Sequence, residues 1–77
     1  MTTPDDAVAW NGMGLTLEGL GRHQEALECY TKATDLNPDF AGSWNGMGRN
    51  LSDLGRHQEA LDCFSKAREI NPDDAFA

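Results

Sequence analysis

The sequence predicts an all-α fold made of two consecutive helical hairpins. The first observation is an internal repeat, because a shift of 34 residues places the run WNGMG at positions 10–14 on the same run at 44–48, and LGRHQEAL at 20–27 on 54–61. The second is the spacing of apolar residues by three and four positions, which is typical of amphipathic helices. The third is the position of glycine and proline residues, which end helices and divide each copy into two helical segments. A repeat of this length indicates a stacked helical array, because one hairpin cannot bury its own apolar face.

The first helix of each copy is predicted to begin near an aspartate and to end at a glycine. Asp6 and Asp39 are suited to cap a helix start, while Gly21 and Gly55 can adopt the left-handed backbone that ends a helix. Apolar and small residues on the first of these helices are predicted to face the second helix, namely Trp10, Met13, Gly14, Leu17 and Leu20.

The second helix of each copy is predicted over His23–Leu36 and His57–Ile70. An Asn-Pro pair follows each of them, at 37–38 and 71–72, and proline disfavours helical backbone at the residue before it. In the first copy the matching apolar stripe is Ala26, Tyr30 and Ala33. All four segments are therefore predicted to be helices.

The repeat also sets the expected domain boundaries. Residues 1–6 form a lead-in, 7–40 the first repeat and 41–74 the second. The segment PDDAFA at 72–77 resembles PDDAVA at 4–9, so 75–77 are expected to begin a third copy. We therefore expect the chain to have been cut from a longer array.

Charge and composition narrow the class of partner. Thirteen acidic residues against six basic ones give a formal net charge of -7, which repels nucleic acid and anionic membrane surfaces and favours a basic partner. The sequence shows neither a long apolar run nor a leader peptide, so a soluble, cytoplasmic protein is expected. Cys29 and Cys63 occupy matching positions in the two copies and are expected to be reduced and packed.

No pattern in the sequence favours catalysis, a metal or a cofactor. His23, Cys29, His57 and Cys63 lack the short spacings of a zinc site. The glycine pairs at 12 and 14 and at 46 and 48 lie inside predicted helices and lack the remaining residues of a phosphate-binding loop. The acidic residues fall on polar faces or at helix caps, so we expect neither an enzyme nor a cofactor-binding protein.

The repeat resembles the tetratricopeptide repeat, whose pattern opens W-x2-L-G-x2-Y and continues through A, F, A and P. The first copy matches it with Trp10, Met13, Gly14, Leu17, Ala26, Tyr30, Ala33 and Pro38. The second copy matches it with Trp44, Met47, Gly48, Leu51, Ala60, Phe64, Ala67 and Pro72. This resemblance implies four helices that form the start of a right-handed α-solenoid. The family has no common catalytic site, so the resemblance implies none here.

The resemblance further implies a concave groove, lined by the first helix of each repeat, in which a partner peptide or protein binds. The residues expected on that surface are Asn11, Leu15, Glu18, Asn45, Arg49 and Ser52. The asparagine amides can bond to a peptide backbone, the Arg49 guanidinium can pair with a carboxylate, and Leu15 offers apolar contact. A solvated helix face that binds no ligand is the alternative explanation of the same residues. Arg49 is the only basic residue among them, so the family's clamp for a terminal carboxylate is not expected.

Self-association is the alternative function that the sequence predicts. The second helix of the second copy carries Leu61, Phe64 and Ile70 with no following helix to cover them. Two chains are therefore expected to stack end to end, or to exchange helices by opening the loop at 36–39. The sequence therefore leaves three functional classes. A protein-binding scaffold is favoured most, a self-assembling structural unit comes second, and an enzyme is favoured least.

Overall fold

The computed structural model describes residues 6–72, which form four α-helices in two antiparallel hairpins. They are α1 (Ala7–Gly19), α2 (His23–Leu36), α3 (Ala41–Asp53) and α4 (His57–Ile70). The four predicted helices are confirmed, and α2 and α4 have the predicted bounds. Residues 1–5 of the expected lead-in and the expected start of a third copy at 75–77 lie outside the described residues.

The helix starts differ between the two copies. Asp6 caps α1, because its carboxylate accepts hydrogen bonds from the backbone N–H groups of Val8 and Ala9 at 3.0 and 3.4 Å. Asp39 was expected to cap α3 in the same way, and this was wrong. Helix α3 begins after Phe40, and the Asp39 N–H instead donates to the Asn37 side chain in the loop at 3.2 Å.

Each hairpin turns at a glycine in the left-handed conformation. Gly21 has φ +77° and Gly55 has φ +82°, as the sequence predicted. The N–H of Arg22, the residue after the first glycine, donates to the Leu17 carbonyl at 2.9 Å, and the second turn repeats this with Arg56 and Leu51 at 2.8 Å. The last carbonyls of α1 and α3 are satisfied in this way before the chain reverses.

Helix α2 lies at the centre of the bundle and packs against both α1 and α3, while α4 packs against α3. Tyr30 on α2 is fully buried, with its ring between Gly14 of α1 and Gly46 of α3. A Cβ atom added at either glycine would meet the ring at 2.8 or 2.4 Å, so only glycine allows this approach. The aromatic ring thus fills the space between two successive hairpins.

The core continues into the second hairpin. Leu27, Leu51, Ala60 and Cys63 form one buried cluster, against which Trp44, Met47 and Phe64 pack. Phe64 lies over Gly48 as Tyr30 lies over Gly14, because a Cβ at Gly48 would meet its ring at 2.6 Å. The two hairpins therefore have the same internal packing, and with Tyr30 against Gly46 between them the chain is the start of a right-handed α-solenoid.

Two residues of the predicted core are on the surface. Met13 is 50% exposed and Leu20 is 64% exposed. Met13 lies on the side of α1 that no other helix of residues 6–72 covers, whereas its counterpart Met47 packs against the core. Leu20 follows the end of α1, and its counterpart Leu54 is exposed as well. None of the helices in this range combines the length and the apolar character needed to cross a membrane.

Candidate functional site

Helices α1 and α3 lie side by side, and we call their shared exposed surface the α1/α3 face, defined by the six groove residues of the sequence analysis. Leu15 and Arg49 on this face are exposed, and the other four are partly buried, namely Asn11, Glu18, Asn45 and Ser52. The residues expected on the groove therefore do lie on neighbouring helices. The contacts that some of their side chains make were not predicted from the sequence.

Glu18 and Arg49 pair with each other across the two repeats. The Arg49 Nε and Nη2 atoms donate to the two Glu18 carboxylate oxygens at 2.8 and 3.2 Å. The Tyr30 hydroxyl donates to Glu18 Oε1 at 2.7 Å. One carboxylate thus receives hydrogen bonds from α2 and α3 while it is carried by α1.

These contacts shift the ionisation of all three groups. The Arg49 hydrogen bond lowers the pKa of Glu18, although partial burial acts in the opposite direction. The Glu18 hydrogen bond raises the pKa of Arg49. Burial, followed by the contact with Glu18, raises the pKa of Tyr30, so its hydroxyl stays protonated and remains a donor.

The two asparagines of the α1/α3 face differ in their surroundings. Ser43 on α3 donates its hydroxyl to the Asn11 side-chain oxygen at 2.8 Å. Asn45 is the equivalent of Asn11 in the second repeat, and its side chain makes no hydrogen bond within residues 6–72. It is only partly buried, so its amide is available to a ligand.

A second polar cluster at the repeat junction was not identified from the sequence. His23 Nδ1 lies 2.8 Å from the Asn50 side-chain oxygen and 3.5 Å from an Asp53 carboxylate oxygen. Asn50 is fully buried, and its side-chain amide donates to the Gly46 carbonyl at 2.7 Å. From the sequence, His23 was considered as a metal ligand, and these contacts were not predicted. Asn50 replaces Thr16 and Asp53 replaces Gly19 at the corresponding positions, and these differences between the repeats were the available signal.

The predicted self-association residues lie on α4. Leu61 is 59% exposed, while Phe64 and Ile70 are partly buried. A shallow depression of about 420 Å³ lies at the opposite end of the described chain, on the outer side of α1. It is lined by Gly12, Met13, Thr16 and Leu17.

A further cleft of about 340 Å³ lies between α2 and α4. Its floor is apolar, with Leu27, Met47 and Leu51, and its rim carries the paired side chains of Arg56 and Glu59. Neither this cleft nor the depression on α1 brings together residues predicted to bind a partner. In the described part of the chain, no three His, Cys, Asp or Glu side chains are grouped in a way that would hold a metal ion.

The two cysteines are free and buried, each at the core side of the second helix of its repeat. Burial raises the pKa of both thiols, and neighbouring carboxylates act in the same direction. A thiol of raised pKa and little exposure is a poor nucleophile. Cys29 and Cys63 therefore contribute to packing, as the sequence predicted.

Comparison with known proteins agrees with this architecture. The sequence model for the family described as Tetratricopeptide repeat matches residues 7–40 and 41–74. No curated protein sequence matches the chain. Among solved structures, "Crystal structure of MamA" has a TM-score of 0.82 at 30% identity, over 92% of this chain and 42% of that one.

Two further MamA structures are similar. One titled "MamA MSR-1 C2" has a TM-score of 0.85 at 28% identity, over 94% of this chain and 41% of that one. Another, "Crystal structure of MamA protein", has a TM-score of 0.78 at 30% identity, over 90% of this chain and 38% of that one. The chain therefore spans less than half the length of these solved chains.

Proposed function

Since the chain belongs to the tetratricopeptide repeat family, it is a protein-interaction module, and we propose that it binds a partner peptide or protein through the α1/α3 face. The observation that carries this proposal is Asn45, whose side-chain amide is partly buried yet makes no hydrogen bond within residues 6–72. An amide held in place on a helix, with both donor and acceptor unused, can pair with the backbone of an extended peptide.

Apolar contact is available on the same face. Leu15 is half exposed and Val8, which precedes it on α1, is more exposed still. Together they offer a surface for an apolar side chain of the partner next to polar groups that fix its orientation. Arg49 is less suited to recognise a carboxylate, because Glu18 already occupies its guanidinium.

A basic partner is favoured by long-range charge. The net charge of -7 attracts a cationic peptide and speeds its encounter with the surface. On the α1/α3 face itself the Glu18 and Arg49 charges offset each other. Charge should therefore affect the association rate more than the dissociation rate, and the preference for basic peptides should weaken as salt is added.

The test is an array of immobilised peptides in which net charge and apolar content vary independently, followed by anisotropy titrations of labelled hits. Asn45→Ala should weaken binding by about fivefold, the loss of one hydrogen bond of about 1 kcal/mol. The matched control is Gln58→Ala on α4, an exposed residue away from this face, which should leave affinity unchanged. Equal losses in both variants, or no peptide bound above scrambled sequences, would contradict the proposal.

Self-association is a second candidate function, favoured by the exposed apolar side chains on α4. Leu61 is exposed on this helix, and Phe64, one turn further along, is only partly buried, as is Ile70 at the end of the helix. We propose a dimer or an end-to-end stack, to be tested by light scattering coupled to size exclusion at several concentrations. A molecular mass that stays at 8.4 kDa throughout would rule this candidate out.

The two candidates are compatible, because the α1/α3 face and the outer side of α4 carry different residues. We propose that both operate in the cytoplasm, where the reduced state of Cys29 and Cys63 would persist. Fractionation of cells expressing the tagged chain tests this location, and recovery outside the cytoplasmic fraction would contradict it.

A further inference from the structure

We infer that copies of this chain stack head to tail, so that the outer side of α4 of one copy covers α1 of the next and Phe64 lies over Gly12 of that copy. This inference rests on the self-association proposed above, and it adds the contacting surfaces and their polarity. The junction between the two repeats serves as a template for the junction between two chains.

The template has an aromatic ring seated on a glycine. Tyr30 lies against Gly46, where an added Cβ would be 2.4 Å from the ring. A shift of 34 residues turns this pair into Phe64 and Gly12. No atom of residues 6–72 lies within 4 Å of a Cβ built at Gly12, so within this range the position opposite Gly12 is open. Phe64 is only partly buried although it already rests on Gly48.

The open seat is a shaped surface. The depression on α1 is lined by Gly12, Met13, Thr16 and Leu17. Their equivalents in the second repeat are Gly46, Met47, Asn50 and Leu51, which face α2 in the internal junction. The depression on α1 is thus equivalent to the surface of α3 that packs against α2 in the internal junction. The glycine, the methionine and the leucine are the same in both surfaces.

The opposite end of the molecule carries the matching surface. In the internal junction, Leu27 is only 8% exposed, because it packs with Leu51, Ala60 and Cys63 of the following repeat. Its equivalent Leu61 is 59% exposed. Stacking would bury Leu61 against the corresponding residues of the next copy, Leu17, Ala26 and Cys29. Stacking would thus bury the exposed Leu61 of one copy and the apolar depression on α1 of the next in a single contact.

The junction between chains would be less polar than the one within the chain. Among residues 6–72, the shortest side-chain hydrogen bonds that join the repeats are Glu18 with Arg49, Asn11 with Ser43, and His23 with Asn50. The 34-residue shift converts them into Ser52 with Leu15, Asn45 with Ala9, and His57 with Thr16. No converted pair brings like charges together, so none of them opposes the stack. Each chain carries a net charge of -7, so the copies repel each other at long range, and added salt should strengthen this association by screening that repulsion.

The polarity has a consequence for the assembly. A head-to-tail contact joins the α4 surface of one copy to the α1 surface of the next. A stack of any length therefore keeps one free surface of each kind, and growth does not stop at a dimer. A helix-swapped dimer, or a dimer in which two α4 surfaces meet, uses the same surface twice and stops at two. The mass distribution against concentration therefore separates these arrangements.

The test compares light scattering of the full chain with three variants. Gly12→Ala fills the seat on α1 and should weaken association about tenfold or more. Its control is Gly19→Ala, also an exposed helical glycine, whose added Cβ would have no atom of the described residues within 4 Å. The equivalent of Gly19 in the internal junction is Asp53, so a side chain is tolerated there and association should be unchanged. Leu61→Glu blocks the opposite surface and should weaken association to a similar extent.

A mixture of the two blocked variants tests the polarity directly. Gly12→Ala keeps the α4 surface and Leu61→Glu keeps the α1 surface, so an equimolar mixture should form a one-to-one complex that grows no further. A self-associated state that is indifferent to Gly12→Ala would overturn the head-to-tail geometry and leave self-association standing. A wild-type chain that is monomeric at every concentration would overturn self-association itself, without bearing on peptide binding by the α1/α3 face.

Discussion

The Glu18 carboxylate and the Arg49 guanidinium link the two repeats through hydrogen bonds of 2.8 and 3.2 Å. Both carboxylate oxygens are engaged, so the pair is bidentate and joins α1 to α3 directly. The Tyr30 hydroxyl adds a third bond to the same group at 2.7 Å. In the second repeat the equivalents of Glu18 and Tyr30 are Ser52 and Phe64, so this link belongs to one junction rather than to the repeat in general.

A double-mutant cycle should detect this link as a coupling free energy. We expect Glu18→Gln and Arg49→Gln to show a coupling of about 0.5–1 kcal/mol in urea unfolding, kept small by solvent because the Arg49 side chain is 46% exposed. The control cycle is Arg22 with Glu25, an exposed pair on one helix turn, whose coupling should be much smaller. Additive effects at Glu18 and Arg49 would show that the contact does not stabilise the junction.

Acid should weaken the fold partly through Glu18. The Arg49 hydrogen bond lowers the pKa of Glu18 from its ordinary value of 4.5, so the folded state binds this proton less readily than the unfolded state. The stabilisation is therefore complete above the ordinary value and is lost as the pH falls through the lowered one. Urea midpoints measured from about pH 6 down to about pH 3 should fall less steeply in Glu18→Gln than in the wild type. Parallel curves would contradict this assignment.

The two equivalent glycines Gly12 and Gly46 should respond oppositely to alanine. Gly46→Ala should destabilise the fold by about 1–3 kcal/mol, because the added methyl meets the Tyr30 ring, which Gly14 confines on its other side. Gly12→Ala should stabilise the monomer by about 0.5–1 kcal/mol, because the position is helical and open. Thermal unfolding of dilute samples compares them. Changes of the same sign would mean that the ring does not occupy the described position.

The regular features of the fold were predictable from the sequence because they depend on local chemistry. Gly21 and Gly55 have the positive φ expected of residues that end a helix, and Pro38 and Pro72 follow the ends of α2 and α4. Asp39 failed as a cap because α3 begins one residue later than expected, after Phe40, so Asp39 belongs to the loop, where its N–H bonds to the Asn37 side chain.

The contacts of the candidate site were not predictable in the same way. A helical wheel places Glu18 and Arg49 on exposed faces, but it does not give the distance between α1 and α3, on which their pairing depends. The same limit applies to His23 and Asn50, which are 27 residues apart in sequence. Met13 was assigned to the core from its spacing, and its exposure depends on whether another helix covers α1, which periodicity alone does not specify.

The reactivity of the two thiols should differ, although Cys29 and Cys63 are equally buried and both have a raised pKa. Helix α2 packs against α1 and α3, while α4 packs against α3 alone among the described helices, so α4 should open locally at lower free energy. We expect a thiol reagent at neutral pH to modify Cys63 several-fold faster than Cys29, measured in the single-cysteine variants Cys29→Ala and Cys63→Ala. In concentrated urea the two rates should become equal, which controls for intrinsic reactivity. Equal rates in the folded state, or faster modification of Cys29, would show that α4 is no less stable than α2.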